Sequence, residues 1–64
     1  MKKILEKNGY EVWAKWDNTA EVYELFNDDE GSAYIGCADT IAEAIPVALG
    51  FIDEQLAEAT WNAS

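Results

Sequence analysis

Carboxylates are the only reactive groups this sequence carries in number. Thirteen Asp and Glu residues face four lysines, with no arginine and no histidine, in a chain of 64 residues. Neighbouring acids occur at Asp28-Asp29-Glu30 and at Asp53-Glu54, and paired carboxyl groups can divide acid and base roles when their surroundings push their pKa values apart. Acids in a turn-rich loop or on a helix face are ordinarily solvated surface instead. With no histidine to carry protons, no Ser/His or Cys/His pair and no glycine-rich phosphate loop, we assign no catalytic residue and expect no enzyme. Asp28, Asp29 and Glu30 lack the ligand spacing of a calcium loop. A single cysteine, Cys37, without histidine cannot assemble a zinc site or an internal disulfide. The expectation is no metal and no cofactor, with Cys37 a small apolar residue of a strand.

What the acids can do is make a field. The formal net charge is -9, and charge of that density bears on partners and solubility rather than on fold. Direct nucleic-acid binding needs clustered cations to neutralise phosphates, and Lys2, Lys3, Lys7 and Lys15 are too few. The converse is attractive: a folded acidic surface can occupy the basic groove of a protein that otherwise holds DNA or RNA, carboxylates standing in for phosphates. On a helix, Glu43, Glu54 and Glu58 share a side, and Glu43 to Glu54 spans about 16 Å at 1.5 Å per residue, a length covered by several backbone phosphates. The plain alternative is that the acids serve solubility alone.

Positioning those acids requires a scaffold, and the chain supplies one small domain over residues 1–64. Half of its residues are apolar and three are tryptophan, which separates it from acidic disordered tails. Asn8-Gly9 predicts a two-residue type I′ hairpin turn, pairing Lys2 to Lys7 with Tyr10 to Asp17 and setting Leu5 opposite Val12 and Ile4 opposite Trp13. A third strand is expected over Ala20 to Phe26, then a loop at Asn27 to Gly31 and a fourth strand over Ser32 to Cys37. Thr40 and Glu43 form an S/T-x-x-E capping box. Beyond it Ile41, Ile45, Ala48, Leu49, Ile52, Leu56 and Ala59 make a stripe of helical period. Pro46 predicts a kink or restart, because an interior proline costs a helix about 3 kcal/mol, and Thr60 to Ser64 is expected to fray.

The result is an α+β fold, ββββα: a four-stranded antiparallel sheet with one C-terminal helix packed on one face. With Trp16 opposite Glu21 and Leu25 opposite Ala33, the core face collects Leu5, Tyr10, Val12, Ala14, Trp16, Tyr23, Leu25, Ala33, Ile35 and Cys37. The face left open carries Ile4, Glu6, Glu11, Trp13, Lys15, Val22, Glu24, Phe26, Tyr34 and Gly36. Aromatic residues ringed by charge resemble the centre of an interface, so Trp13, Phe26 and Tyr34 are candidate anchors. Glu11, Glu24, Asp28, Asp29, Glu30, Glu43, Asp53, Glu54 and Glu58 are the candidate partner-binding acids. An exposed aromatic face leaves monomer and homodimer both open.

Two resemblances bear on function. Gly36-Cys37 followed by Thr40-Ile41-Ala42-Glu43-Ala44 resembles the strand end and helix start of HicB-like antitoxin domains, which implies a module that docks a partner through its sheet. In size, charge and lack of catalytic groups the whole chain resembles small, acidic, phage-encoded anti-CRISPR proteins of the DNA-mimic kind. That resemblance implies a non-enzymatic inhibitor whose partner is a basic nucleic-acid-binding protein such as a CRISPR effector complex. No signal-peptide pattern and no run of about 20 apolar residues is found, so no membrane partner and a cytoplasmic location are expected.

Overall fold

The computed structural model describes residues 1–63, and side chains through Ala59. Four strands, β1 (Lys2–Lys7), β2 (Tyr10–Asp17), β3 (Val22–Phe26) and β4 (Tyr34–Ala38), precede one helix, α1 (Ile41–Ala63). They form an antiparallel sheet in the order β1-β2-β3-β4, and the helix packs across one face. The architecture is the α+β arrangement expected.

Local chemistry explains the turns. Asn8 and Gly9 both take positive φ, 54° and 85°, as a type I′ turn demands, and Lys7 pairs with Tyr10 across it. The second turn is built by Asp17. Its Oδ1 accepts from the backbone N–H of Thr19 at 2.9 Å and of Ala20 at 3.2 Å, while its carbonyl accepts from Glu21 N–H at 2.7 Å. Closing this turn forces Glu21 to φ 57°, a left-handed conformation that costs a side-chain-bearing residue about 1–2 kcal/mol. The third strand therefore starts at Val22, two residues later than expected, and Trp16 lies opposite Tyr23 rather than Glu21.

Two irregularities rearrange the faces. Pairing slips between Lys3 and Leu5, so Lys3, and not Ile4, is opposite Trp13, and both Ile4 and Leu5 pack against the core. A second slip between Leu25 and Phe26 sets Leu25 opposite Gly36, not Ala33, and Phe26 opposite Tyr34. Because one residue of slip exchanges the faces, Gly36 turns to the helix, where a Cβ would sit 3.7 Å from Val47 Cγ1. Cys37 turns away from it and is exposed. Ala33 lies before the strand and is exposed too.

The core is Val12, Ala14, Leu25, Ala38, Ala44, Ala48 and Ile52. Burial of Val12, Leu25 and Ile52, each at 0% exposure, contributes about 1.5–3 kcal/mol per side chain. Small residues on both sides of the contact, Gly36 and Ala38 against Ala44 and Ala48, let the helix lie close to the sheet. The Thr40 hydroxyl accepts from Glu43 N–H at 3.1 Å, starting the helix as the capping pattern predicts. There is no restart at Pro46: α1 is continuous from Ile41 to Ala63, since Pro46 forfeits only the bond to Ala42 and both residues face water. The helix likewise continues past Thr60, where fraying was expected, and Ser64 lies outside the described residues. Ala59 falls in phase with Ala48 and Ile52 yet is exposed, because by that point the helix has run past the sheet. Trp16, expected in the core, is 45% exposed. The helix begins beside Ala38 of β4 and reaches Lys7 of β1 through Asp53, a diagonal that leaves the Trp16 corner uncovered.

Candidate functional site: an acidic half opposite a lysine-bearing edge

The sheet face away from the helix is less open than its composition suggests. Phe26 points there and is 7% exposed, covered by its cross-strand partner Trp13 and by Tyr34, whose ring meets it edge-on at 5.8 Å. A Cβ on Gly31 would stand 3.1 Å from Met1 Cε. The β3–β4 loop and the residue preceding β1 therefore meet, although they belong to opposite edges of the sheet. Trp13 is tied down as well. Its Nε1–H donates to Glu11 Oε1 at 2.9 Å, and Lys3 Nζ stands 5.9 Å from its ring centroid in a cation–π arrangement. Of the three proposed aromatic anchors only Tyr34 protrudes, at 61% exposure.

The acids divide into those with partners in the chain and those without. Glu6 and Glu11 lie 3.5 and 4.0 Å from Lys3 Nζ, and Asp53 lies 3.5 Å from Lys7 Nζ. Asp28 is a loop organiser. Its Oδ1 accepts from the N–H groups of Gly31, Ser32 and Ala33 and its Oδ2 from the Ser32 hydroxyl. That hydroxyl first, then the backbone N–H groups, hold its carboxyl below the usual carboxylate range against partial desolvation. Asp17 is lowered chiefly by the Ala20 N–H, and then by Glu24. Glu24 is raised by the same contact with Asp17 and by desolvation. Glu21, Asp29, Glu30, Asp39, Glu43, Glu54 and Glu58 are exposed, and among the described residues none makes an ion pair or side-chain hydrogen bond.

Strand order gives this division a direction. Residues 1–17 carry all four lysines and three acids, whereas residues 18–64 carry ten acids and no base. In space the lysines belong to β1 and β2, and six of the seven unpaired acids surround β4: Asp29 and Glu30 in the loop before it, Asp39 after it, and Glu43, Glu54 and Glu58 on α1, while Glu21 lies in the turn before β3. Val47, one turn from Glu43, lies against Gly36, which turns the Glu43–Glu54 side of the helix toward the outer edge of β4. Asp53 is on the other side, toward β1. Sequence reasoning named most of these acids but missed Asp39 and the lysine-free character of this half. Both are visible in the sequence, though their meaning depends on knowing that β1 and β4 are opposite edges.

Among the described residues there is no pocket and no group of acids and cysteine placed to hold a metal ion. No helix among them is long and apolar enough to cross a membrane. Comparison with protein-family models, curated proteins and solved structures finds no match.

Proposed function

We propose that this chain is a non-enzymatic inhibitor that binds a basic nucleic-acid-binding protein, its fixed carboxylates standing where phosphates would. The observation that carries this reading is the segregation of charge: ten acids and no base in residues 18–64, with six of the seven unpartnered ones held around β4 on the helix and in the loops on either side of the strand. Held at set separations on a folded frame, such groups give more than solubility, since complementary potentials steer encounter and fix orientation. A CRISPR effector complex, which grips DNA through a basic channel, is one receptor of the right chemistry, and the protein would then act in the host cytoplasm. Docking through the sheet face, the HicB-like alternative, draws less support, because Trp13 and Phe26 are already engaged within the chain.

The test is capture of proteins from bacterial lysate on the immobilised chain, with duplex DNA as competitor. Captured proteins should be basic, be released by DNA, and be lost steeply between low and moderate salt. Captured proteins that duplex DNA fails to displace would rule out mimicry.

A further inference from the structure

The two edges of the sheet are defended unequally. The outer edge at β1 carries Lys2, Lys3 and Lys7 and a register slip at Ile4, both devices that discourage pairing with another strand. The outer edge at β4, Tyr34–Ala38, has no charged residue and no proline. Its one irregularity lies at the Tyr34 end, so Gly36, Cys37 and Ala38 run in regular register with β3. Among the described residues no strand pairs with its outer side. Backbone groups along that side are therefore free to accept a further strand.

We propose that the outer edge of β4 takes an extended, lysine- or arginine-bearing segment of the partner as a fifth strand. The proposal rests on the reading above that the partner is basic. An added strand gains affinity from main-chain hydrogen bonds and specificity from alternate side chains. Here one set of side chains would project to the helix side, beside Glu43 and Glu54, where Val47 meets Gly36. The other set would project beside Tyr34 and Cys37, whose row continues into Glu24. Asp29 and Glu30 stand before the strand and Asp39 after it, so the edge is flanked by anions along its length. A second copy of this chain is the poorer occupant, because pairing β4 with β4 would bring two such acidic borders together, each on a chain of net charge -9.

The experiment is an amide-resolved titration of the isotope-labelled full chain at low salt with a short peptide alternating lysine and valine. A version with proline replacing the central valine and a version alternating glutamate and valine serve as controls. The alternating basic peptide should slow hydrogen exchange of the outward-facing amides within Tyr34–Ala38 roughly tenfold. The proline version should lose that protection and the glutamate version should not bind. Cys37→Lys should weaken binding of the basic peptide roughly tenfold while the melting midpoint stays near that of the parent. Should that variant not fold, Tyr34→Lys carries the same test. If both basic peptides perturb the helix acids equally and β4 gains no protection, edge addition is wrong while the basic-partner reading survives. Protection of β4 that grows with protein concentration and needs no peptide would assign the edge to a second copy and overturn the proposal. If neither the peptides nor poly-lysine binds, both readings fall together.

Discussion

The first two strands and the rest of the chain solve the problem of charge in opposite ways. In β1 and β2 Lys3 and Lys7 are ion-paired and Lys15 lies opposite Glu24, and Lys3 by itself lies near Glu6, Glu11 and the Trp13 ring. In residues 18–64 there is no lysine at all, and among the described residues seven acids there, Glu21 with the six around β4, are left to water. Mutual repulsion among unpaired carboxylates lowers stability, and this domain has one small core from which to offset it. The contrast teaches that the anionic side is a spatial feature of the fold rather than a property averaged over its surface. A composition tuned for solubility alone would have no reason to gather its cations on the first two strands.

Variants at the joints between these halves sharpen the comparison. Phe26 and Trp13 form the seam on the face away from the helix, so Phe26→Ala should cost about 3 kcal/mol in urea unfolding. A loss below about 1 kcal/mol would mean that the face is not a second packed layer. The Asn18–Glu21 loop joins the halves, and Glu21 is strained there at φ 57°. Glu21→Gly should raise stability by about 1 kcal/mol, and no gain would show that the loop tolerates the left-handed residue without strain.

Acid pH should loosen the loop that Asp28 organises. The carboxyl of Asp28 is lowered on folding, so its contribution is complete above the ordinary carboxylate range, near pH 4, and is lost as pH falls through the lower folded value. Glu24 has the opposite sign: raised on folding, it favours the native state below that range and loses this as pH rises through its folded value. Melting followed on descending pH should show a steep acid limb that Asp28→Asn makes shallower, with the variant less stable at neutral pH. An unchanged limb would remove Asp28 as the organiser of its loop. The smallest effect belongs to the Lys7–Asp53 pair, the one ion pair among the described residues that joins the two halves. Both side chains are exposed, so Asp53→Asn should shift unfolding by under about 0.5 kcal/mol.

Features settled by neighbouring residues were legible before the fold was known. Asn8-Gly9 specifies its turn whatever surrounds it, and Thr40 with Glu43 announces the helix. Strand order follows from short connections between alternating segments. Features settled across the sheet were not legible. Nothing in Lys3-Ile4-Leu5 or Tyr34-Ile35-Gly36 marks a bulge, yet those two slips decide that Ile4 packs inward, Gly36 meets the helix and Cys37 meets water. Apolar periodicity put Trp16 and Ala59 in the core because it carries no information on how far the helix covers the sheet. Among the site residues, the helix acids were readable from spacing. That Asp28 is consumed by its own loop was hidden, since an Asp followed by turn residues reads equally as a free anion.

The central claim is that position, not total charge, makes the acids functional. Two charge-reversal pairs of equal size separate the possibilities: Glu43→Lys with Glu54→Lys beside β4, and Glu6→Lys with Glu11→Lys beside β1, each compared with the parent in DNA-competed capture of basic proteins. The account predicts that the first pair abolishes capture while the second leaves most of it, both variants remaining folded. Equal loss from the two pairs, or none from the first, would contradict it.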